Sequence, residues 1–140
     1  MNITELLIDL ASGINSIIRF TAKKFNITSS QALHLFSIPF DGVSMSAMSH
    51  KLGLDASTLT RNIQKLEKLG LVERRTDSYD KRIQRVVLTN DGTALIDSLE
   101  DHLEKQNHSV LEKIDLDTQE ALLTVLEKLS WAISCTREKS

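Results

Sequence analysis

The polar and cationic side chains between Ser57 and Arg85 have the types and spacing needed to contact a polyanion. This segment holds eight Lys/Arg against four Asp/Glu, although the whole chain has a formal net charge of −2. Residues 93–140, in contrast, hold five Lys/Arg against ten Asp/Glu. Because a polyanion docks where the local field is positive, whatever the total charge, residues 57–85 are the candidate nucleic-acid interface.

Two short helices are predicted to position the first half of this interface. The first covers residues 44–53, and the second runs from Asp55, which can cap it, to Gly70, which can end it in a left-handed conformation. Apolar residues at helical spacing in the second helix predict a buried stripe: Leu59, Ile63, Leu66 and Leu69. The outer face then presents Ser57, Thr58, Thr60, Arg61, Gln64 and Lys65. Short hydroxyls followed by longer cations suit the major groove, but an ordinary solvated face gives the same pattern.

A predicted β-hairpin carries the other half of the interface. Residues 72–76 and 83–88 are strand-like, and the polar residues 77–82 between them form a hairpin tip. The hairpin gathers five cations: Arg74, Arg75, Lys81, Arg82 and Arg85. Arginine suits the minor groove and its phosphates because its planar guanidinium is weakly hydrated. Asp80, two residues before Arg82, is expected to orient that guanidinium.

Three sequence runs give this helix-turn-helix and hairpin a specific resemblance. They are Gly70-Leu71-Val72-Glu73-Arg74, Asp80-Lys81-Arg82 and Leu88-Thr89-Asn90-Asp91-Gly92. In order and spacing, they resemble the winged-helix motif of the MarR (multiple antibiotic resistance regulator) family of bacterial transcription factors, over about a third of the chain. Ser49 departs from the Ala that the family commonly has. The resemblance implies a mainly α fold with a small β-hairpin wing (α+β), a winged helix-turn-helix with long N- and C-terminal dimerisation helices.

The flanking segments are predicted to be helical and to form a dimer. We interpret residues 1–140 as a single domain, with dimerisation helices at 1–28 and 93–140 and the DNA-binding region at 29–92. Thr28 and Gln31 have the spacing of a capping box. Apolar stripes occur near the N-terminus, in a long helix after the wing, and in a last helix from Asp117 that is expected to bury Leu122, Leu126, Leu129 and Ile133. Stripes left exposed in a monomer favour a homodimer, whereas helices folded onto their own motif are the alternative.

The sequence offers no catalytic constellation and no cofactor site. Its four histidines are scattered, and it has no Gly-rich phosphate loop, so we expect no enzyme. Glu104 and His108 share a helix face, but two residues alone do not predict a metal site. Cys135 is the single cysteine, which excludes an intrachain disulfide. We expect it to be inert, although oxidation between two subunits is physically possible.

The function predicted from these residues and from the resemblance is that of a cytoplasmic bacterial transcriptional regulator without a membrane segment. It is expected to be a repressor that binds a pseudo-palindromic site on double-stranded DNA as a homodimer. The resemblance also implies a small aromatic or phenolic effector in a crevice beside the DNA-binding region. Candidates to line that crevice, which are equally candidates for the core, are His34, Phe36, Phe40 and Trp131. A non-specific DNA-packaging protein and a winged-helix protein–protein adaptor are the alternatives.

Overall fold

The computed structural model describes residues 1–138, and it has six helices and three strands in that range. In chain order they are α1 (Ile3–Lys23), α2 (Ser29–Phe36), β1 (Val43–Ser44), α3 (Met45–Leu52), α4 (Ala56–Lys68), β2 (Val72–Thr76), β3 (Gln84–Leu88), α5 (Asn90–Leu111) and α6 (Leu116–Glu138). The predicted fold class is confirmed. Contacts divide the chain into two units, Met1–Leu103 and a second that begins at Glu104, and each is described by itself.

Local capping fixes the helix boundaries of the first unit much as the sequence predicts. Thr28 and Gln31 form a reciprocal capping box at the start of α2. Gly53 and Gly70 both have positive φ, of 66° and 75°, and therefore end α3 and α4 with a conformation that glycine adopts without strain. The prediction for Leu69 was wrong, because α4 ends at Lys68 and the Leu69 side chain is exposed.

The sheet is antiparallel with the strand order β1-β3-β2. The predicted hairpin is confirmed, although β3 begins at Gln84 and not at Ile83. The strand β1, in which Val43 and Ser44 pair with Val86 and Arg85, was not predicted from the sequence. Two residues are too few to show an alternating pattern in the sequence. They form a strand because they pair with the free edge of β3.

A compact core holds α4 and the hairpin together. The largest fully buried side chains come from α2, α3, α4, β3 and α5: Leu35, Met48, Leu59, Ile63, Leu66, Val86 and Leu99. Three of them, Leu59, Ile63 and Leu66, are the inward stripe of α4. The polar face of α4 is therefore directed away from the core.

The Leu-Thr-x-x-Gly run anchors the end of the hairpin to the start of α5. Thr89 Oγ1 donates to the Gly70 carbonyl oxygen at 2.6 Å and accepts from the Gly92 backbone N–H at 3.1 Å. Gly92 is buried, and a Cβ atom at this position would overlap the carbonyl oxygen of Leu71. Only glycine allows this close approach, which explains why the motif needs a glycine there.

The second unit contains the end of α5 and all of α6. Asp115 accepts from the Thr118 hydroxyl at 2.7 Å and from its backbone N–H at 2.9 Å, and these two bonds lower the pKa of Asp115. The predicted burial of the α6 stripe was wrong in part. Leu122 and Leu129 are half-buried, but Leu126 and Ile133 are 49% and 48% exposed.

Candidate nucleic-acid interface

The interface begins with the cap of α4. The Asp55 carboxylate accepts from the Thr58 backbone N–H and from the Ser57 hydroxyl, both at 2.8 Å. The backbone bond from Thr58, then the Ser57 hydroxyl, lower the pKa of Asp55 from 3.8 to about 2. Asp55 is thus a carboxylate at neutral pH, and it fixes the first turn of α4.

Hydrogen bonds distinguish two parts of the polar face of α4. In the first turns, Thr60 Oγ1 donates to the Ala56 carbonyl oxygen at 2.8 Å, and Arg61 Nη2 lies 3.4 Å from Thr58 Oγ1. Further along, Gln64 and Lys65 are exposed and have no side-chain partner among residues 1–138. These later side chains can reach DNA without breaking an existing bond.

A crevice of about 600 Å³ separates α4 from the hairpin. Its lining includes Thr60 from α4 and Arg82 from the hairpin tip, which brings together two residues predicted to bind DNA. The other five lining residues were not predicted from the sequence: Ser44, Met45, Ser46, Ile83 and Gln84. Ser46 lies in the first turn of α3, just after the N-cap residue Ser44, and that cap was the one signal that could have identified it.

The cations of the hairpin are mostly paired with acids. The Arg82 guanidinium holds the Asp80 carboxylate with Nε–Oδ1 and Nη2–Oδ2 distances of 3.1 and 3.0 Å. Arg75 Nη2 lies 2.9 Å from Glu73 Oε2, and Arg85 Nη1 lies 3.8 Å from Asp77 Oδ1. The tip is therefore an array of oriented ion pairs, with Lys81 as an exposed cation that has no acidic partner within residues 1–138.

Arg74 lies on a different face of the hairpin from Arg75. Its Nε donates to Glu67 Oε1 of α4 at 2.8 Å, and both side chains are only 25–30% exposed. Arg74 shares its side of β2 with buried Val72, whereas Arg75 is exposed. The structure thus separates Arg74 from the other predicted DNA contacts and makes it a link between β2 and α4.

Three of the four residues predicted for an effector crevice lie in the first unit, and they do not line one cavity. Phe36 and Phe40 line a cavity of about 660 Å³ in the first unit. His34 is buried and lines a different cavity, beside Asn62 of α4. Trp131 lies on α6 in the second unit and is 70% exposed. Within the first unit, only Phe36 and Phe40 are therefore brought together.

The residues considered for metal or redox chemistry, Glu104, His108 and Cys135, all lie in the second unit. His108 Nε2 lies 3.0 Å from Glu112 Oε1. The partner considered from the sequence was Glu104. Within residues 1–138 no three metal-ligating side chains cluster. Cys135 is a free, half-buried thiol. No helix in the same range is long and apolar enough to cross a bilayer.

Comparisons with known proteins agree with the geometry of helix and hairpin. A model described as MarR family matches residues 25–83. The chain is 28% identical over 127 residues to YdgJ of Bacillus subtilis (strain 168), described as an uncharacterized HTH-type transcriptional regulator, covering 89% of this chain and 77% of that protein.

Solved structures extend the likeness to nearly the whole chain. MarR from E. coli, in its apo form, superposes with a TM-score of 0.79 at 23% identity, covering 92% of this chain and 96% of that one. MepR from S. aureus, solved as a complex with DNA, gives 0.76 at 18% identity, covering 94% and 98%. Because the sequence identities are low, these superpositions show a shared fold and no more than that.

The fold and the comparisons define the class of this protein as a winged helix-turn-helix protein similar to transcriptional regulators. Within that class the likeness is to the MarR family, whose model matches residues 25–83, a segment that carries much of the sequence motif.

Proposed function

We propose that this protein represses transcription by binding a pseudo-palindromic site on double-stranded DNA as a homodimer. The single observation that carries the proposal is the crevice that Thr60 and Arg82 share. Thr60 lies on the polar face of α4 and Arg82 lies at the hairpin tip, so the helix and the tip flank the same crevice. In this arrangement, α4 enters the major groove while Arg82, Arg75 and Lys81 contact the flanking backbone and minor groove.

The exposed apolar surface supports the homodimer. Large apolar side chains are exposed along α1 and along α6, including Ile3, Ile8, Ile14, Phe20, Leu123, Val125 and Trp131. Apolar surface on this scale is typical of a protein–protein interface. A two-fold partner covers it economically, and it sets two copies of α4 about 34 Å apart, one turn of DNA. In this proposal residues 1–28 and 93–140 provide the dimerisation helices, and residues 29–92 bind DNA.

Selection of bound duplexes from a random pool tests the DNA-binding proposal. We expect enrichment of an inverted repeat whose half-sites lie about one helical turn apart, bound at least about 10³-fold more tightly than random duplex. Equal affinity for all sequences would identify a packaging protein. No binding at low salt by a well-folded chain would favour the adaptor.

An effector is part of the proposal, and the cavity that Phe36 and Phe40 line is its proposed site. Most of the lining side chains of this cavity are apolar, and two others are the carboxylates Asp97 and Glu100. No Lys, Arg or His lines it. Burial of an anion beside two carboxylates is unfavourable, so a neutral or cationic aromatic molecule suits the cavity better than a phenolate.

A matched series of aromatic probes tests this effector class. Benzoate, benzamide and benzamidinium share a ring and differ in charge, and each can be titrated against the protein bound to its selected duplex. We expect benzamidinium and benzamide to shift DNA affinity or thermal stability more than benzoate does. The Asp97→Asn variant should reduce the advantage of benzamidinium and leave benzamide unchanged. Preferential binding of benzoate would contradict the assignment.

A further inference from the structure

Tyr79 lies at the tip of the hairpin and is 98% exposed. It is the one aromatic residue in the cationic segment 57–85. Within residues 1–138 its hydroxyl has no hydrogen-bond partner, and its ring makes no aromatic or cation–π contact. A tyrosine offers a partner a large apolar face together with one polar group. The fold leaves both of these free at the point of the hairpin that protrudes between the two strands.

The backbone that carries Tyr79 is held in place by Asp77. Asp77 Oδ2 accepts from the backbone N–H groups of Tyr79 and Asp80, both at 2.9 Å. The Asp77 side chain is only 15% exposed, and the Asp77 backbone N–H donates to the Ile83 carbonyl oxygen at 2.9 Å. Tyr79 therefore projects from an ordered turn, so less conformational entropy is lost when a partner immobilises its ring.

The charges around this ring favour DNA although two of its near neighbours are acids. Both acids are paired: Asp77 Oδ1 lies 3.8 Å from Arg85 Nη1, and Asp80 Oδ2 lies 3.0 Å from Arg82 Nη2. Lys81 is exposed, and no acid pairs with it in the part of the chain that the structure describes. Cations are attracted to the minor groove most strongly where A·T-rich DNA narrows it. The hairpin tip thus combines an exposed ring with cations suited to that groove.

The minor groove has the shape and the chemistry to accept a tyrosine from a hairpin tip. It is about 6 Å wide, which admits a flat ring between its sugar walls. At A·T pairs its floor presents only acceptors, adenine N3 and thymine O2, and a tyrosine hydroxyl can donate to either. At G·C pairs the guanine 2-amino group projects into the groove and occupies this space. An inserted tyrosine therefore distinguishes A·T pairs from G·C pairs.

We propose that Tyr79 is a specificity-determining residue of the DNA interface, whose ring enters the minor groove and whose hydroxyl donates to an A·T pair there. The inference rests on the proposed DNA-binding function and adds a base contact to it. In this arrangement Lys81 and Arg82 attract the groove and its phosphates, whereas Tyr79 reads the base pairs. The hairpin then selects A·T pairs that flank the major-groove site of α4.

The test adds one amino group to the minor groove of the selected duplex. Hydroxyl-radical footprinting of wild type and Tyr79→Ala first locates the base pairs that only wild type protects, and we expect these to be A·T pairs. At these pairs 2,6-diaminopurine then replaces adenine, which adds the 2-amino group and leaves the major-groove edge unchanged. We expect wild type to lose about fivefold in affinity, the equivalent of one hydrogen bond, and Tyr79→Ala to lose none.

Two further variants control this experiment. Tyr79→Phe keeps the ring and removes the hydroxyl, so its affinity for the unmodified duplex should lie between those of wild type and Tyr79→Ala. Ser78→Ala removes the neighbouring exposed hydroxyl and should behave as wild type does. Because both positions are exposed, urea denaturation should give similar stabilities for all four proteins. Identical footprints of wild type and Tyr79→Ala would overturn the inference, as would equal losses on diaminopurine.

A fluorine label on Tyr79 separates a failure of this inference from a failure of the proposed function. The chain has one tyrosine, so 3-fluorotyrosine gives a fluorine NMR signal from the hairpin tip alone. Binding of the selected duplex should shield this signal from a soluble paramagnetic agent. Unchanged accessibility in a protein that binds the duplex selectively would overturn the role of Tyr79 alone. Absence of selective binding by wild type would overturn the proposed function and this inference with it.

Discussion

Arg82 and Asp80 form a two-pronged ion pair at the tip of the hairpin. Nε and Nη2 of Arg82 donate to Oδ1 and Oδ2 of Asp80 at 3.1 and 3.0 Å, and the Arg82 backbone N–H also donates to Oδ1 at 3.0 Å. The side-chain bond lowers the pKa of Asp80 and raises that of Arg82. The guanidinium is thus held in one orientation although its side chain is 89% exposed.

Replacing each partner of this pair should weaken DNA binding. Arg82→Ala should reduce affinity for all duplexes and lower the salt dependence by about one phosphate-equivalent per subunit. Asp80→Ala should also weaken binding, because loss of orientation outweighs relief of repulsion. The double variant should be little worse than Arg82→Ala, since the two residues act as a unit. Titrations at several salt concentrations measure all three effects.

Glu73→Ala is the matched control for that experiment. It removes the same charge from the same hairpin, where Glu73 pairs with exposed Arg75 through a single bond of 2.9 Å. If each carboxylate only repels the DNA phosphates, Asp80→Ala and Glu73→Ala should tighten DNA binding equally. If Asp80→Ala tightened binding as Glu73→Ala does, Asp80 would have no orienting role.

Arg61→Ala should weaken the selected site more than random duplex. Arg61 lies on the exposed face of α4, and a groove-facing arginine can contribute about 1–3 kcal/mol of discrimination between bases. Competition binding against random DNA measures the difference. Lys68→Ala, in the last turn of the same helix, is the control and should affect both duplexes alike. Equal losses for Arg61→Ala would indicate a phosphate contact.

Arg74→Ala should act on stability and leave the salt dependence of DNA binding unchanged. Arg74 bonds Glu67 in a partly buried pair that joins β2 to α4. Loss of a hydrogen bond between charged groups should lower the free energy of unfolding by about 1–3 kcal/mol, measured by urea denaturation. A reduced salt slope like that of Arg82→Ala, with unchanged stability, would show instead that Arg74 contacts DNA.

Protonation of Asp55 in strong acid should weaken the cap of α4 and make the protein less stable. Its pKa is lowered to about 2, chiefly by the Thr58 backbone N–H, so its contribution is fully present above the ordinary value of 3.8 and is lost as pH falls through about 2. Asp55→Asn keeps a capping oxygen and does not titrate. The thermal midpoint of wild type should therefore fall more steeply below pH 4 than that of Asp55→Asn. Parallel pH profiles would contradict this role.

Charge placed on α6 should dissociate the proposed homodimer. Leu126→Lys with Ile133→Lys replaces two exposed apolar residues, and burial of lysines in an interface without partners is unfavourable. Sedimentation equilibrium should show a weaker dimer or an aggregating chain. Tyr79→Lys, an equally charged change at an exposed aromatic of the hairpin tip, is the control and should leave the dimer intact. An unchanged dimer in the double variant would remove α6 from the interface.

Apart from Asp80 and Arg82, the pairing partners in the candidate site could not be predicted from the sequence. The spacing of Asp80 and Arg82 was sufficient because both lie in one tight turn, where two residues of separation fix the distance. Arg74 and Arg75 looked equivalent, and only the register of β2 on β3 directs one towards α4 and the other outwards. The His34–Asn62 bond joins residues 28 apart in sequence, so no local pattern announced it.

What the sequence determined by itself was the set of features that depend on a few neighbouring residues. The caps at Thr28 and Asp55, the inward stripe of Leu59, Ile63 and Leu66, and the Thr89–Gly92 junction follow from backbone hydrogen bonding and helical periodicity. Tertiary structure decided the rest: the strand β1, the inward turn of Arg74 and the hydrogen bond between α2 and α4. Each depends on a partner distant in sequence, and the free energy of such a contact exists only once the core has brought the two elements together.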